Sequence, residues 1–175
     1  MAKATGGGSR WPWAAALAVA CALVTGPGAV ANPVEESWSY VDESASAGGE
    51  GQTQARASIY RGDHLVAVRC HNGDGRQWES LVIGATWFHH PKAHLVFELS
   101  VDAGEPLVLE FQRETDYRFS LPNPPAVLIR RMGEGNELAI GGRDFVGGPM
   151  VVPLKGSREA LAAAFARCGY DPLVE

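Results

Sequence analysis

The sequence predicts a mainly β fold: an antiparallel sandwich or curled sheet with one C-terminal α-helix packed on it and a disulfide. Three observations carry that reading. Short apolar runs, alternating or rich in β-branched residues, recur from about residue 57 to 140 with Gly, Asp and Asn turns between them. A single segment near the C-terminus shows helical spacing instead. Two cysteines, Cys70 and Cys168, remain once an export leader is set aside.

The leader comes first. Lys3 and Arg10 precede an apolar run from Trp11 to Val24 that is broken only by Pro12. Gly26, Pro27 and Gly28 follow, then Ala29-Val30-Ala31. A basic flank, a short apolar core and an Ala-x-Ala end describe a secretory signal peptide over residues 1–31, leaving Asn32 as the new N-terminus. The run falls short of the ~20 residues that a membrane span needs, so no transmembrane span is expected in the mature chain. Cys21, preceded by Ala18-Val19-Ala20, also resembles a lipoprotein processing site, and a lipid there would anchor the protein to a membrane. The apolar run continues past Cys21, and Ala18 stands where that site prefers Leu, so ordinary cleavage fits better.

Residues 32–56 read as an N-terminal strand followed by a flexible Ser/Gly-rich linker. SWSYVDE alternates, with Trp38, Tyr40 and Asp42 on one face, while SASAGGEGQTQ offers little to bury. The domain proper spans 57–175. ASIYR and HLVAVRC flank Gly62-Asp63 as a hairpin would. Asn72 to Gly75 makes another turn and leads into QWESLVIG. Further strands are expected at 94–101, 106–113, 126–132 and 137–140. There is no Gly-rich strand-to-helix unit, which argues against a nucleotide-binding parallel sheet. No cofactor is expected.

The helix lies in LKGSREALAAAFARCGY. Ser157 suits the N-cap, Glu159 the first turn and Gly169 the position after the last turn. Leu161, Ala164, Phe165 and Cys168 fall at i, i+3, i+4 and i+7 as one apolar stripe. Cys168 therefore faces the sheet in which Cys70 ends its strand. In an oxidising compartment such a pair is most simply a disulfide; a metal site or a reactive thiol is the alternative.

Charge narrows the partners. The chain has 15 Lys+Arg against 20 Asp+Glu. Removing residues 1–31 takes away Lys3 and Arg10 and no acid, which leaves 13 basic against 20 acidic side chains, a net charge of −7. An acidic chain does not supply the basic face that nucleic acid or anionic lipid requires. A periplasmic or secreted location follows from the leader, with a cell-envelope protein or polymer as the expected partner.

Candidate sites are few. In TWFHHPKAH, His89, His90 and His94 could ligate a metal from a loop, but Pro91 opposes a continuous helix and the segment lacks the glutamate of the zinc-protease motif. Trp87 beside them could line a binding surface. Arg113, within Gln112 to Arg118, and Arg131 could meet an anionic partner, although alternating charges are ordinary on a half-exposed sheet. No G-x-S-x-G elbow is present, Gly156-Ser157 is accounted for by capping, and oxidised cysteines cannot act as nucleophiles. The leading expectation is a non-catalytic exported binding protein. The alternative is a small metal-binding protein or hydrolase using segment 89–94.

SWSYVDE (37–43), LVAVRC (65–70), DYRFS (116–120) and LKGSREALAAAFARC (154–168) occur in an order that resembles exported type VI secretion-associated accessory proteins of the VasI/TagO kind. The resemblance covers most of the mature chain through short motifs. It implies a periplasmic β-rich domain with a Cys70–Cys168 bond, no assigned catalysis and a secretion-accessory role. That family's pattern has an acidic residue after Tyr-Arg-Phe where Ser120 stands here, and the His-rich segment has no counterpart in it.

Overall fold

The computed structural model describes residues 37–46, 51–73, 76–85, 90–145 and 148–170. The expected leader with Cys21, and both Trp87 and His89, lie outside these. The described residues form one nine-stranded sheet and two α-helices. The strands are β1 (Ser39–Asp42), β2 (Thr53–Arg61), β3 (His64–Gly73), β4 (Arg76–Ala85), β5 (His94–Val101), β6 (Leu107–Thr115), β7 (Arg118–Pro122), β8 (Glu137–Gly141) and β9 (Met150–Pro153). The helices are α1 (Ala126–Glu134) and α2 (Ser157–Cys168). Spatial order is β1-β2-β3-β4-β7-β6-β5-β8-β9, and every neighbouring pair is antiparallel. From β4 the chain skips two strand positions, then returns through β5 and β6 so that β7 pairs with β4.

Sequence explains the ladder. Gly62 adopts φ +59°, which suits the two-residue turn joining β2 to β3. In β5 the run Leu95, Phe97, Leu99, Val101 is buried while His94 and Glu98 are exposed, the period-two pattern of a strand with one face on a core. β3 and β4 differ. Residues 65–68 and 81–85 are buried at every position, so these central strands are covered on both faces.

The curled sheet, rather than a two-sheet sandwich, is the form the fold takes. Its two edges are brought together by Trp38. The backbone N–H of Trp38 donates to Lys155 O at 3.0 Å, and its indole Nε1–H donates to Pro153 O at 3.0 Å. The start of β1 is thereby tied to the end of β9. Inside the curl lies one core, in which Phe97 meets Phe111, Phe119 and Phe145 at ring-centroid distances of 5.0, 6.4 and 5.7 Å.

Helix α2 packs on β1, β2 and β3, with Leu161, Ala164, Phe165 and Cys168 buried as their spacing requires. Cys168 bonds Cys70 across 98 residues with a Cα–Cα separation of 6.2 Å, and both residues are fully buried. Closing a loop of that length removes about 4–5 kcal/mol of unfolded-state freedom on the chain-entropy estimate. Polar contacts reinforce the same end of the helix. Asn72 Nδ2 and Gln77 Nε2 donate to Cys168 O at 2.8 and 3.4 Å, and Tyr170 OH donates to Glu79 Oε2 at 3.1 Å.

Three expectations change. Residues 126–132 form a helix, not a strand, so two helices pack in the fold. As a strand, AVLIRRM would place an arginine on each face; as a helix it buries Leu128, Ile129 and Met132 on one side, and Pro124-Pro125 starts it. Ser157 does not cap α2. Gly156, at φ +77°, occupies the cap position, and the buried Ser157 hydroxyl donates to Met132 O at 2.6 Å, joining the two helices. Finally, β2 begins at Thr53, inside the stretch read as linker.

Candidate functional site

The outer face of the sheet, away from the helices, carries a groove where two hairpin tips and the end of β4 converge. Tyr60 on β2 sits opposite Leu65 on β3, Leu65 opposite Gly84 on β4, Gly84 opposite Arg118 on β7, and Arg118 opposite Thr115 on β6. Five strands thus contribute one position each to a single row. At about 4.8 Å per strand the row spans about 19 Å. With Asp63, Ala85 and Tyr117 it bounds a groove of about 630 Å³, within the 300–1,000 Å³ range usual for ligand pockets.

Gly84 makes the depression. A Cβ there would stand 3.0 Å from Tyr117 O and 3.1 Å from Arg118 Cγ, so the arginine stem lies against bare backbone. The floor is apolar, with Leu65 and Ala85 buried. Tyr117, 51% exposed, stands at one wall and Tyr60 at the other. The frame is stiff: Ala85 N–H donates to Tyr117 O at 3.1 Å, and Tyr117 N–H donates to Thr115 Oγ1 at 3.3 Å.

Arg118 differs from Arg56, Arg69 and Arg113, each of which is engaged. Arg56 pairs with Glu43 at 3.4 Å, and Arg69 pairs with Glu114 at 2.6 Å. Arg113 donates to the carbonyls of His90 and Lys92. The Arg118 guanidinium has no hydrogen-bond or ion-pair partner among the described residues, and Asp63 across the groove has none for its carboxylate.

No protein-family model matches this chain, and no curated protein matches it. Among solved structures, invasion associated protein b from Bartonella henselae is similar, with a TM-score of 0.50 and 14% identity over 78% of this chain and 96% of that one. At that identity the likeness shows the fold alone.

Of the surface residues singled out from sequence, those described lie outside the groove lining, and of them Arg113 and His90 meet. His94 Nδ1 lies 3.1 Å from Glu110 Oε1, with both side chains more than half exposed. His90 Nδ1 accepts the Lys92 N–H at 3.2 Å. Lys92 Nζ pairs with the buried Asp144 at 2.7 Å, and the other Asp144 oxygen accepts the Val96 N–H at 3.0 Å. The Lys92 and Val96 hydrogen bonds hold the Asp144 carboxyl below the usual carboxylate range. Arg113 therefore clasps the chain entering β5 and is part-buried, not displayed on an open strand. Arg131 belongs to α1, where its guanidinium reaches Glu105 O at 3.5 Å, on a different element from Arg113. Among the described residues no three His, Cys, Asp or Glu side chains converge as a metal site would require. No described helix is long and apolar enough to cross a membrane.

Sequence reading passed over Tyr60, Leu65, Gly84 and Tyr117. A signal existed in the two hairpin tips, Gly62-Asp63 and Asp116-Tyr117, each followed by a strand. What it could not supply was the pairing of β7 with β4, which brings residues 84 and 118 together.

Proposed function

We propose that this chain is an exported, non-catalytic protein that holds a cell-envelope partner in the outer-face groove. The observation that carries the reading is Arg118, a guanidinium without a hydrogen-bond or ion-pair partner among the described residues, set beside two tyrosines on an apolar floor. Tyr and Arg in a well-framed pocket are the residues that anchor protein partners. The buried Cys70–Cys168 bond supports residence in an oxidising compartment, where such bonds persist. A periplasmic or secreted location and the leader at 1–31 belong to the same proposal. The resemblance to type VI secretion-associated accessory proteins makes a component of that machinery the first partner to seek.

A photo-crosslinking amino acid in place of Tyr117, compared with the same substitution at Val108 (64% exposed, on β6), tests the reading in cells. Reproducible capture of one envelope protein from position 117, and not from 108, is expected. Equal capture from both positions, or none from 117, overturns it. Elemental analysis of the purified chain addresses the alternative: stoichiometric zinc or copper would move the function to His89, His90 and His94.

A further inference from the structure

Resting on the groove reading above, the geometry points to a ligand class: a polypeptide C-terminus whose last side chain is apolar, with its carboxylate on Arg118. Each part of the groove selects one part of such a ligand. Arg118 offers a planar fork that matches a carboxylate with two parallel hydrogen bonds. Its stem rests over Gly84, and Arg118 is among the residues that line the groove. The apolar floor is short. Leu65 supplies its side chain, and beyond Gly84 the row turns to Arg118 and Thr115. A floor of that extent suits one side chain better than a long acyl tail. Tyr60 and Tyr117 flank it as the walls that an aromatic or branched side chain would pack against.

Asp63 completes the assignment. Lining the same groove as Arg118, with no partner for its carboxylate among the described residues, it can accept a backbone N–H from the residues preceding a chain end. The same negative charge opposes a phosphate or a polyanion more strongly than it opposes a single carboxylate. A single carboxylate, an amide N–H close to it and one apolar side chain together describe a peptide terminus. At Leu65, Gly84 and Arg118, over which the ligand would lie, the row has a paired strand on each side, so the backbone groups there are already engaged. The ligand is therefore read by side chains and does not add as a further strand.

The test uses the mature chain and three probes: N-acetyl-Ala-Phe with a free carboxylate, the same dipeptide as its carboxamide, and free phenylalanine. Binding is followed through the backbone amide signals of Leu65 and Gly84. The free-acid dipeptide is expected to shift both signals and to bind at least tenfold more tightly than the carboxamide. Arg118→Gln should erase that preference, while Arg118→Lys keeps part of it because the charge remains without the fork. Thermal unfolding of Arg118→Gln should stay close to that of the parent, since the guanidinium has no hydrogen-bond or ion-pair partner among the described residues to lose. Equal affinity for acid and carboxamide overturns the ligand assignment, and so does a preference that survives Arg118→Gln. Tighter binding of free phenylalanine would make an amino acid the ligand and reject the chain end. Failure here with specific crosslinking at position 117 would remove the ligand class and leave the partner-binding reading standing; loss of that crosslinking would remove both.

Discussion

The two halves of the curled sheet bury their outer faces differently. On β2, β3 and β4, Ser58, Leu65, Ala67 and Val82 point away from the helices and are nonetheless buried. On β6 and β9, the outward Val108 and Val151 are 64% and 41% exposed. The first half also carries the disulfide, the polar anchors of α2 and the Tyr60, Leu65 and Gly84 side of the groove. The second depends on the Phe97 cluster and has no covalent tie. The part of the groove on β3 and β4 is thus backed by strands buried on both faces, and a precise site on hairpin tips needs such backing.

The largest test removes the tie. Cys70→Ser and Cys168→Ser should each lower unfolding free energy by about 4–5 kcal/mol on the loop-entropy estimate, and the double variant should be no worse than either single. Urea titration gives the values. Losses that add would show the two sulfurs to act independently. Native-state hydrogen exchange on the reduced chain should lose protection in β2, β3 and α2 before β5 and β8; the reverse order would break the contrast between the two halves of the sheet. Phe97→Ala comes next, at about 3–5 kcal/mol for a fully buried ring. Its effect on exchange should centre on β5, β6 and β8. A smaller loss, about 1–2 kcal/mol, is expected for Tyr170→Phe, because burial already pushes the Glu79 carboxyl up and the Tyr170 hydroxyl is its donor.

The smallest effect is electrostatic. Hydrogen bonds from Ser44, and the Arg167 guanidinium at 2.8 Å, hold Asp42 down at about 2. An unfolded aspartate titrates near 3.9. A depressed carboxyl stabilises the fold above its unfolded value and loses that contribution as pH falls through the folded one. Asp42→Asn should therefore be slightly less stable than the parent at pH 6, and the gap should close between about pH 4 and 2. A gap that persists unchanged at pH 2 would mean that the carboxylate charge is not its source. Paired unfolding curves at the two pH values settle this.

Much of the architecture was legible in the chain. Alternation gave β5 and β6, turn residues gave the β2–β3 hairpin, and the stripe ending at Cys168 gave both the second helix and the direction of its sulfur. Residues 126–132 misled because Val, Leu and Ile favour strands, while the two prolines before them and the Leu128–Ile129–Met132 spacing indicated a helix. β9 escaped notice because MVVP is four residues long and its inward side chains are only Met150 and Val152. The groove escaped for a different reason. Its row draws on five strands whose spatial order departs from chain order, and no local pattern encodes that departure.

Trp38 has a consequence for the sequence of events during folding. Its indole partner, Pro153, lies 115 residues downstream, so the ring of strands cannot shut until nearly all of the polypeptide is present. Until then β1 and the strand at the other rim offer unpaired backbone to any neighbour. A version cut before Met150 should consequently associate with copies of itself at concentrations where the whole chain stays monodisperse.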